Sequence, residues 1–156
     1  MSSNRRTLLV LGVIAAVLLV DQSTKSLIES RLHGRTIHVL GPVYLREVLN
    51  SGAAFSIGTG LGPAFDVVAI VVAVGMWYYL RNSSSLGVTI GGAMIIGGAL
   101  SNVSDRIFRS NHGSVIDFIY TSFWPTFNVA DSCITVGVII LGVSIVRAGK
   151  AGHSQS

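Results

Sequence analysis

Charged side chains are scarce in this sequence: eleven Lys and Arg with seven Asp and Glu make up 12% of 156 residues, where a soluble domain carries about 25%. That scarcity excludes an ordinary water-soluble globule, a disordered chain and a coiled coil. A single cysteine, Cys133, excludes an internal disulfide framework and a multi-Cys metal site. On an apolar helix it reads as a small buried residue. There is no long internal repeat, no zinc spacing, no phosphate-binding glycine loop and no nucleophile elbow. His33, His38, His112 and His153 are scattered through loop-like stretches. Neither a metal nor a cofactor is expected. What remains is apolar: half the chain is hydrophobic, eighteen residues are Gly, and the mean hydropathy is +0.65. These figures point to a bilayer as solvent. The net charge of +4 then concerns the side of a membrane each charge occupies, and no nucleic-acid partner is expected.

A spanning helix needs about 20 mostly apolar residues. Four stretches qualify, giving expected helices over about 6–26, 63–81, 86–104 and 129–147. The first begins like a secretory signal, with Arg5 and Arg6 ahead of an apolar run. However, Leu18-Leu19-Val20-Asp21 offers no small residues for cleavage, and three more spans come after it, so it reads as an uncleaved helix. Pro63 suits a first helical turn. Four spans put both termini on one side. The 21 residues there carry Arg5, Arg6, Arg81, Arg147 and Lys150 and no acid, while the 67 residues opposite carry six basic residues. The denser side is cytoplasmic by the positive-inside rule. Residues 1–147 are thus expected as one membrane-embedded domain, with a disordered cytoplasmic tail over 148–156.

Between the first two spans the pattern changes. Thr36 to Leu40 and Val43 to Leu49 are strand-like about the turn Gly41-Pro42, which predicts a small extracytoplasmic sheet over about 34–60. Simple alternation turns Tyr44, Arg46, Val48 and Asn50 to one face and Val43, Leu45, Glu47 and Leu49 to the other. Gly52, Gly58, Gly60 and Gly62 loosen the chain between these strands and the second helix. Gly87 with Gly91, and Gly97 with Ser101, are small-xxx-small steps suited to close helix packing.

The polar residues cluster towards the outer face. Asp21 and Lys25 are four apart and share a helix face as an ion pair. Asn102 and Arg106 are four apart at the end of the third helix. Asn128, three before Asp131, can simply cap the fourth, and Asp131 then benefits from the helix dipole. Asp117 is harder to explain structurally. It sits within Val115-Ile116-Asp117-Phe118-Ile119, where a lone carboxylate is costly unless paired or functional. Asp131 lies 14 residues further on, with Trp124-Pro125 between them to turn the chain back through a short return loop. Two apposed carboxylates share a proton. The ionised one can act as base on a water and the protonated one can donate to a scissile carbonyl.

Five stretches carry a resemblance: Asp21-Gln22-Ser23-Thr24-Lys25; Asn50-Ser51-Gly52-Ala53-Ala54-Phe55; Gly97-Gly98-Ala99-Leu100-Ser101-Asn102 with Asp105-Arg106; Val115-Ile116-Asp117-Phe118; and Phe127-Asn128-Val129-Ala130-Asp131. In this order the sequence resembles the lipoprotein signal peptidases (signal peptidase II), bacterial intramembrane aspartyl proteases. The resemblance implies an all-α membrane protein of four transmembrane helices with a small surface sheet. It also implies a catalytic pair of Asp117 and Asp131, with Asn50, Asn102, Asp105, Arg106 and Asn128 supporting the pair or holding substrate. Asp21, Lys25 and Gly52 are implied to be structural. The implied substrate is a prolipoprotein whose cysteine carries diacylglycerol, cut just before that cysteine. The implied setting is the cytoplasmic membrane of a bacterium, with the site near the outer leaflet, membrane lipids as surroundings, a monomeric enzyme and inhibition by globomycin. Two features depart from the family pattern. Ser101 stands where a Gly is usual, and the segment from Asp117 to Asp131 is short.

Two rival readings exist. Intramembrane carboxylates also mark small transporters and proton relays, but every acid here lies towards one face. A Ser–Lys peptidase needs a lysine beside a serine. Lys150 is on the wrong side, and Lys25 with Ser23 or Ser26 has only spacing in its favour.

Overall fold

The computed structural model describes residues 2–32, 34–52, 62–83 and 85–153. Along the chain it runs α1 (Ser3–Leu32), β1 (Thr36–Leu40), β2 (Val43–Asn50), α2 (Gly62–Arg81), α3 (Leu86–Phe108), β3 (Val115–Thr121), β4 (Trp124–Phe127) and α4 (Val129–His153). Among the described residues, α1, α3 and α4 are long and apolar enough to cross a membrane. Many outward side chains are large and apolar, among them Leu8, Leu19, Val67, Val71 and Ile139, as lipid-facing surfaces require.

The thirty residues of α1 outrun the expected 6–26. At 1.5 Å per residue it is about 45 Å long, so it extends beyond a bilayer core of about 30 Å. Its buried stripe explains the extension. Val10, Ile14, Val17, Asp21, Lys25, Ile28 and Leu32 recur every three or four residues, so one face stays packed through the polar segment. α3 occupies the centre of the bundle and runs one turn past its expected end, to Phe108. α4 continues to His153, through residues expected to be a disordered tail from 148. Lys150 there complements the dipole at a helix C-terminus.

The sheet is larger than expected. Its four antiparallel strands lie in the order β1-β2-β3-β4, and the segment expected as a return loop supplies β3 and β4. The chain reverses at residues 122 and 123, not at Trp124-Pro125. Pro125 instead lies in β4, an edge strand, where a missing N–H is tolerated. Residues 53–60 of the expected sheet span lie outside the described residues. The alternation predicted for β2 also fails at one point. Leu45 pairs with Ile119 but Val48 pairs with Asp117, so one extra residue of β2 forms a bulge. A bulge reverses face parity. Val48 and Asn50 therefore share the face of Leu45 and Asp117, while Tyr44 lies opposite Tyr120 on the other face. Two apolar clusters lie on either side of the α1 segment that carries Asp21 and Lys25. Val10, Ile14, Ala73, Leu80, Val88, Ala93 and Ile96 join α1, α2 and α3. Ile28, Leu32, Ile116 and Phe118 join the end of α1 to β3.

Candidate active site

Between those clusters lies a polar layer. Asp117 reaches it from β3 and is 2% exposed. The bulge in β2 puts Asn50 on the same face, and its Nδ2 donates to Asp117 Oδ2 at 2.9 Å. Gly52 N donates to Asn50 Oδ1 at 3.0 Å, which orients that amide. Asn128 Nδ2 donates to Asp117 Oδ1 at 2.7 Å.

Asp131 sits in the first turn of α4. Asn128 caps that helix: Asp131 N donates to Asn128 Oδ1 at 2.9 Å, and Asn128 N donates to Asp131 Oδ2 at 3.2 Å. This is a reciprocal capping box with Asp at the third helical position. Asn102 Nδ2 donates to Asp131 Oδ1 at 2.9 Å, and Asn128 Nδ2 also donates to Asn102 Oδ1 at 3.1 Å. Asn128 therefore touches both carboxylates, from its backbone and from its side chain. Burial, followed by the nearby negative charge of Asp131, pushes Asp117 from the ordinary carboxylate value of 3.8 up to about 7. The amide donors of Asn50 and Asn128 oppose that rise.

Behind the pair stands Lys25, fully buried. Its Nζ lies 2.7 Å from Asp21, 2.8 Å from Asp105 and 3.0 Å from Asn102 Oδ1. Asp21 Oδ1 accepts from Ala130 N at 2.8 Å, one residue before Asp131. Asp105 Oδ2 accepts from Ile116 N at 3.2 Å, one residue before Asp117. Each acid expected to be structural or supporting thus holds the backbone beside one member of the pair. The Asp21–Lys25 ion pair expected from their four-residue spacing is present and fully enclosed.

Arg106 ties three parts of the fold together. Its described partners are Asp66 at 3.1 Å, the carbonyl of Gly52 and the carbonyl of Gly113 at 3.2 Å, so it clamps α2, the end of β2 and the turn before β3. Sequence reasoning missed Gln22, Asp66 and Arg109. Gln22 Nε2 donates to Asp105 Oδ1 at 2.8 Å and to Ser101 Oγ at 3.1 Å. Arg109 joins Asp105 at 2.9 Å and Glu29 at 2.8 Å. The four-residue spacing of Asp105 and Arg109 was the available signal. The hydroxyl of Ser101 donates to Asp21 Oδ2 at 2.7 Å. Among the described residues, no group of three or more His, Cys, Asp or Glu could hold a metal ion.

Fold and site together define a helical membrane protein with two linked carboxylates beneath an antiparallel sheet. A family model described as signal peptidase (SPase) II matches residues 13–147. The lipoprotein signal peptidase of Mycobacterium leprae (strain Br4923) is 40% identical over 144 residues, covering 89% of this chain and 72% of the relative. That of Rhodococcus jostii (strain RHA1) is 38% identical over 146 residues, covering 90% and 74%. A solved bacterial membrane enzyme, determined in meso at 2.3 Å, superposes with a TM-score of 0.79 at 27% identity, covering 88% of this chain and 87% of that one. A second, at 1.9 Å, gives 0.76 at 28% identity, covering 87% and 91%. The chain belongs to the signal peptidase II family and is a peptidase of the bacterial membrane.

Proposed function

We propose that this protein removes the signal peptide from diacylglyceryl-modified prolipoproteins, cleaving just before the lipidated cysteine with a water activated between Asp117 and Asp131. The observation that carries the reading is Asn128, whose side chain binds Asp117 and whose backbone binds Asp131. Ionised Asp131 takes a proton from water as the oxygen attacks the scissile carbonyl carbon. Asp117, whose pKa is pushed up to about 7, holds the proton that it gives to the carbonyl oxygen. Collapse of the tetrahedral intermediate breaks the C–N bond, returns the proton from oxygen to Asp117, and sends the proton held by Asp131 to the leaving amine. Asn50, Asn102 and Asn128 keep the two carboxylates in register. Asp21, Lys25 and Asp105 fix the backbone beside them, and Arg106 with Gly52 shapes the entrance from the sheet.

Residues 1–147 act as one domain and as a monomer. α2 is the fourth span, since its twenty residues extend about 30 Å. Both termini are cytoplasmic, with Arg5, Arg6, Arg81, Arg147 and Lys150 on that side, and the site lies near the outer leaflet. In the test, Asp117→Asn and Asp131→Asn are each assayed on a lipidated precursor in membranes, with globomycin as an inhibitor of the unaltered enzyme. Each variant should lose about 10²–10⁴-fold in turnover while remaining inserted. Full activity in either one rejects the carboxylate pair.

A further inference from the structure

The two hairpins of the sheet end side by side. One reverses at residues 41 and 42 and the other at 122 and 123. Val43 pairs with Thr121 between β2 and β3, so the tips are neighbours, about 10 Å apart at about 4.8 Å per strand. The opposite end of the same register pairs Asn50 with Val115, beside Asp117. The tip end is strongly apolar and open: Leu40 is 76% exposed, Phe123 73% and Trp124 53%.

Below the second tip runs a cavity of about 440 Å³, with Phe123, Trp124 and Phe127 on the hairpin wall and Asp131, Ser132 and Val136 on the α4 wall. Val136 lies seven residues into α4, about 10 Å along its axis, so the hairpin hangs down beside the first two turns of that helix. The α4 wall does not end there. Ser132, Val136, Ile139, Val143 and Val146 fall on one helical face, and the last four are 45%, 59%, 45% and 59% exposed. This stripe belongs to a helix apolar enough to cross a membrane. The cavity therefore opens onto surface that lipid covers.

We infer that the second hairpin tip and this cavity are a docking surface for bilayer phospholipid. Phe123 and Trp124 lie at the boundary of headgroups and acyl chains beside α4, and a phospholipid acyl chain fills the cavity as far as Asp131. Continuity with the lipid-facing stripe of α4 identifies the occupant. An aromatic pair at a hairpin tip suits the interface, where one end of the ring system is apolar and the other wet. The Asp131 side of the site then opens sideways to lipid and not upwards to water.

The chain contains two tryptophans, Trp77 and Trp124, so Trp77→Phe leaves Trp124 as the sole indole. The full chain is placed in phosphatidylglycerol–phosphatidylethanolamine vesicles, with or without phospholipid brominated high on its acyl chains. Bromolipid should lower Trp124 emission about twofold, as for an indole at the interfacial belt, while aqueous iodide should leave it nearly unchanged. Quenching by iodide without quenching by bromolipid overturns the inference. Trp77 packs against the α1–α2–α3 cluster. Should Trp77→Phe fail to insert, the emission lost on Trp124→Phe in the otherwise unaltered chain decides the same way.

Discussion

Asn128 shows how much of the site one residue carries. Its three-residue spacing to Asp131 was legible as a helix cap, and the cap exists in both directions. Its bond to Asp117 was not legible, because it depends on β3 folding back against the start of α4. Asp117 itself stood out as a carboxylate in an apolar run, and its burial has a measurable consequence. The folded protein holds the Asp117 proton up to about pH 7, whereas an ordinary carboxyl releases it near 3.8. Between those values the folded state binds more protons than the unfolded state, so this group's stabilising contribution falls as pH rises from about 4 to about 7 and then levels off. Denaturation monitored against pH should show that decline, and Asp117→Asn should remove it. The kcat/KM profile of the unaltered enzyme should fall through about pH 7 as Asp117 loses its proton. Ser101 stood out as half of a small-residue step and as a departure from its family's pattern. In the fold its hydroxyl is fully buried and bonded to Asp21. Ser101→Ala should lower stability by about 2 kcal/mol, as expected for losing a hydrogen bond to a charged group. An unchanged melting temperature would show that Lys25 and Ala130 N hold Asp21 without it.

At the scale of elements, α3 decides how tightly the bundle closes. The small-residue steps were visible in the sequence, but not which helix each would meet. A Cβ on Gly97 would lie 2.9 Å from Val17 of α1, and one on Gly92 would lie 2.7 Å from Leu80 of α2. On the α4 side, a Cβ on Gly91 would lie 2.7 Å from the carbonyl oxygen of Gly137, and one on Gly98 would lie 2.6 Å from that of Ala130. The last obstacle is backbone in the turn that carries Asp131, so it cannot swing aside as a side chain does. Gly98→Ala should displace that turn and lower kcat about 10–100-fold, with less effect on KM. Gly75→Ala on α2, where a Cβ meets nothing within 4 Å, should leave turnover unchanged. Equal kinetics in the two variants would refute this account of α3. The β3–β4 hairpin escaped the sequence reading for a related reason. Val115–Thr121 is buried on both faces at its start, so it lacks the alternation by which a half-buried strand is recognised. The bulge in β2 was equally hidden, since an extra residue shows only when both strands are aligned.

At the scale of the whole molecule, Lys25 is where the parts meet. It lies on α1, pairs with Asp105 of α3, and pairs with Asp21, which in turn holds Ala130 of α4. Removing its charge leaves buried Asp21 without this counterion and Asp105 with Arg109 alone. Lys25→Met should destabilise the protein by about 3–5 kcal/mol, read as a lower unfolding midpoint in detergent. Asp21→Asn added to Lys25→Met should recover part of that loss, and no recovery would separate the two residues energetically. The membrane character and the approximate positions of the helices come from the linear chain, because apolar run length is a local property. Asp117 stood out there by the cost of a carboxylate in an apolar run, while its pairing with Asp131 was implied by the family resemblance. The enclosure of Lys25, the contacts of Arg106 with Asp66, Gly52 and Gly113, the four-stranded sheet and the partners of each α3 glycine were decided only in three dimensions. Each depends on residues tens of positions apart being brought within hydrogen-bonding or van der Waals distance, which spacing along one strand or helix does not encode.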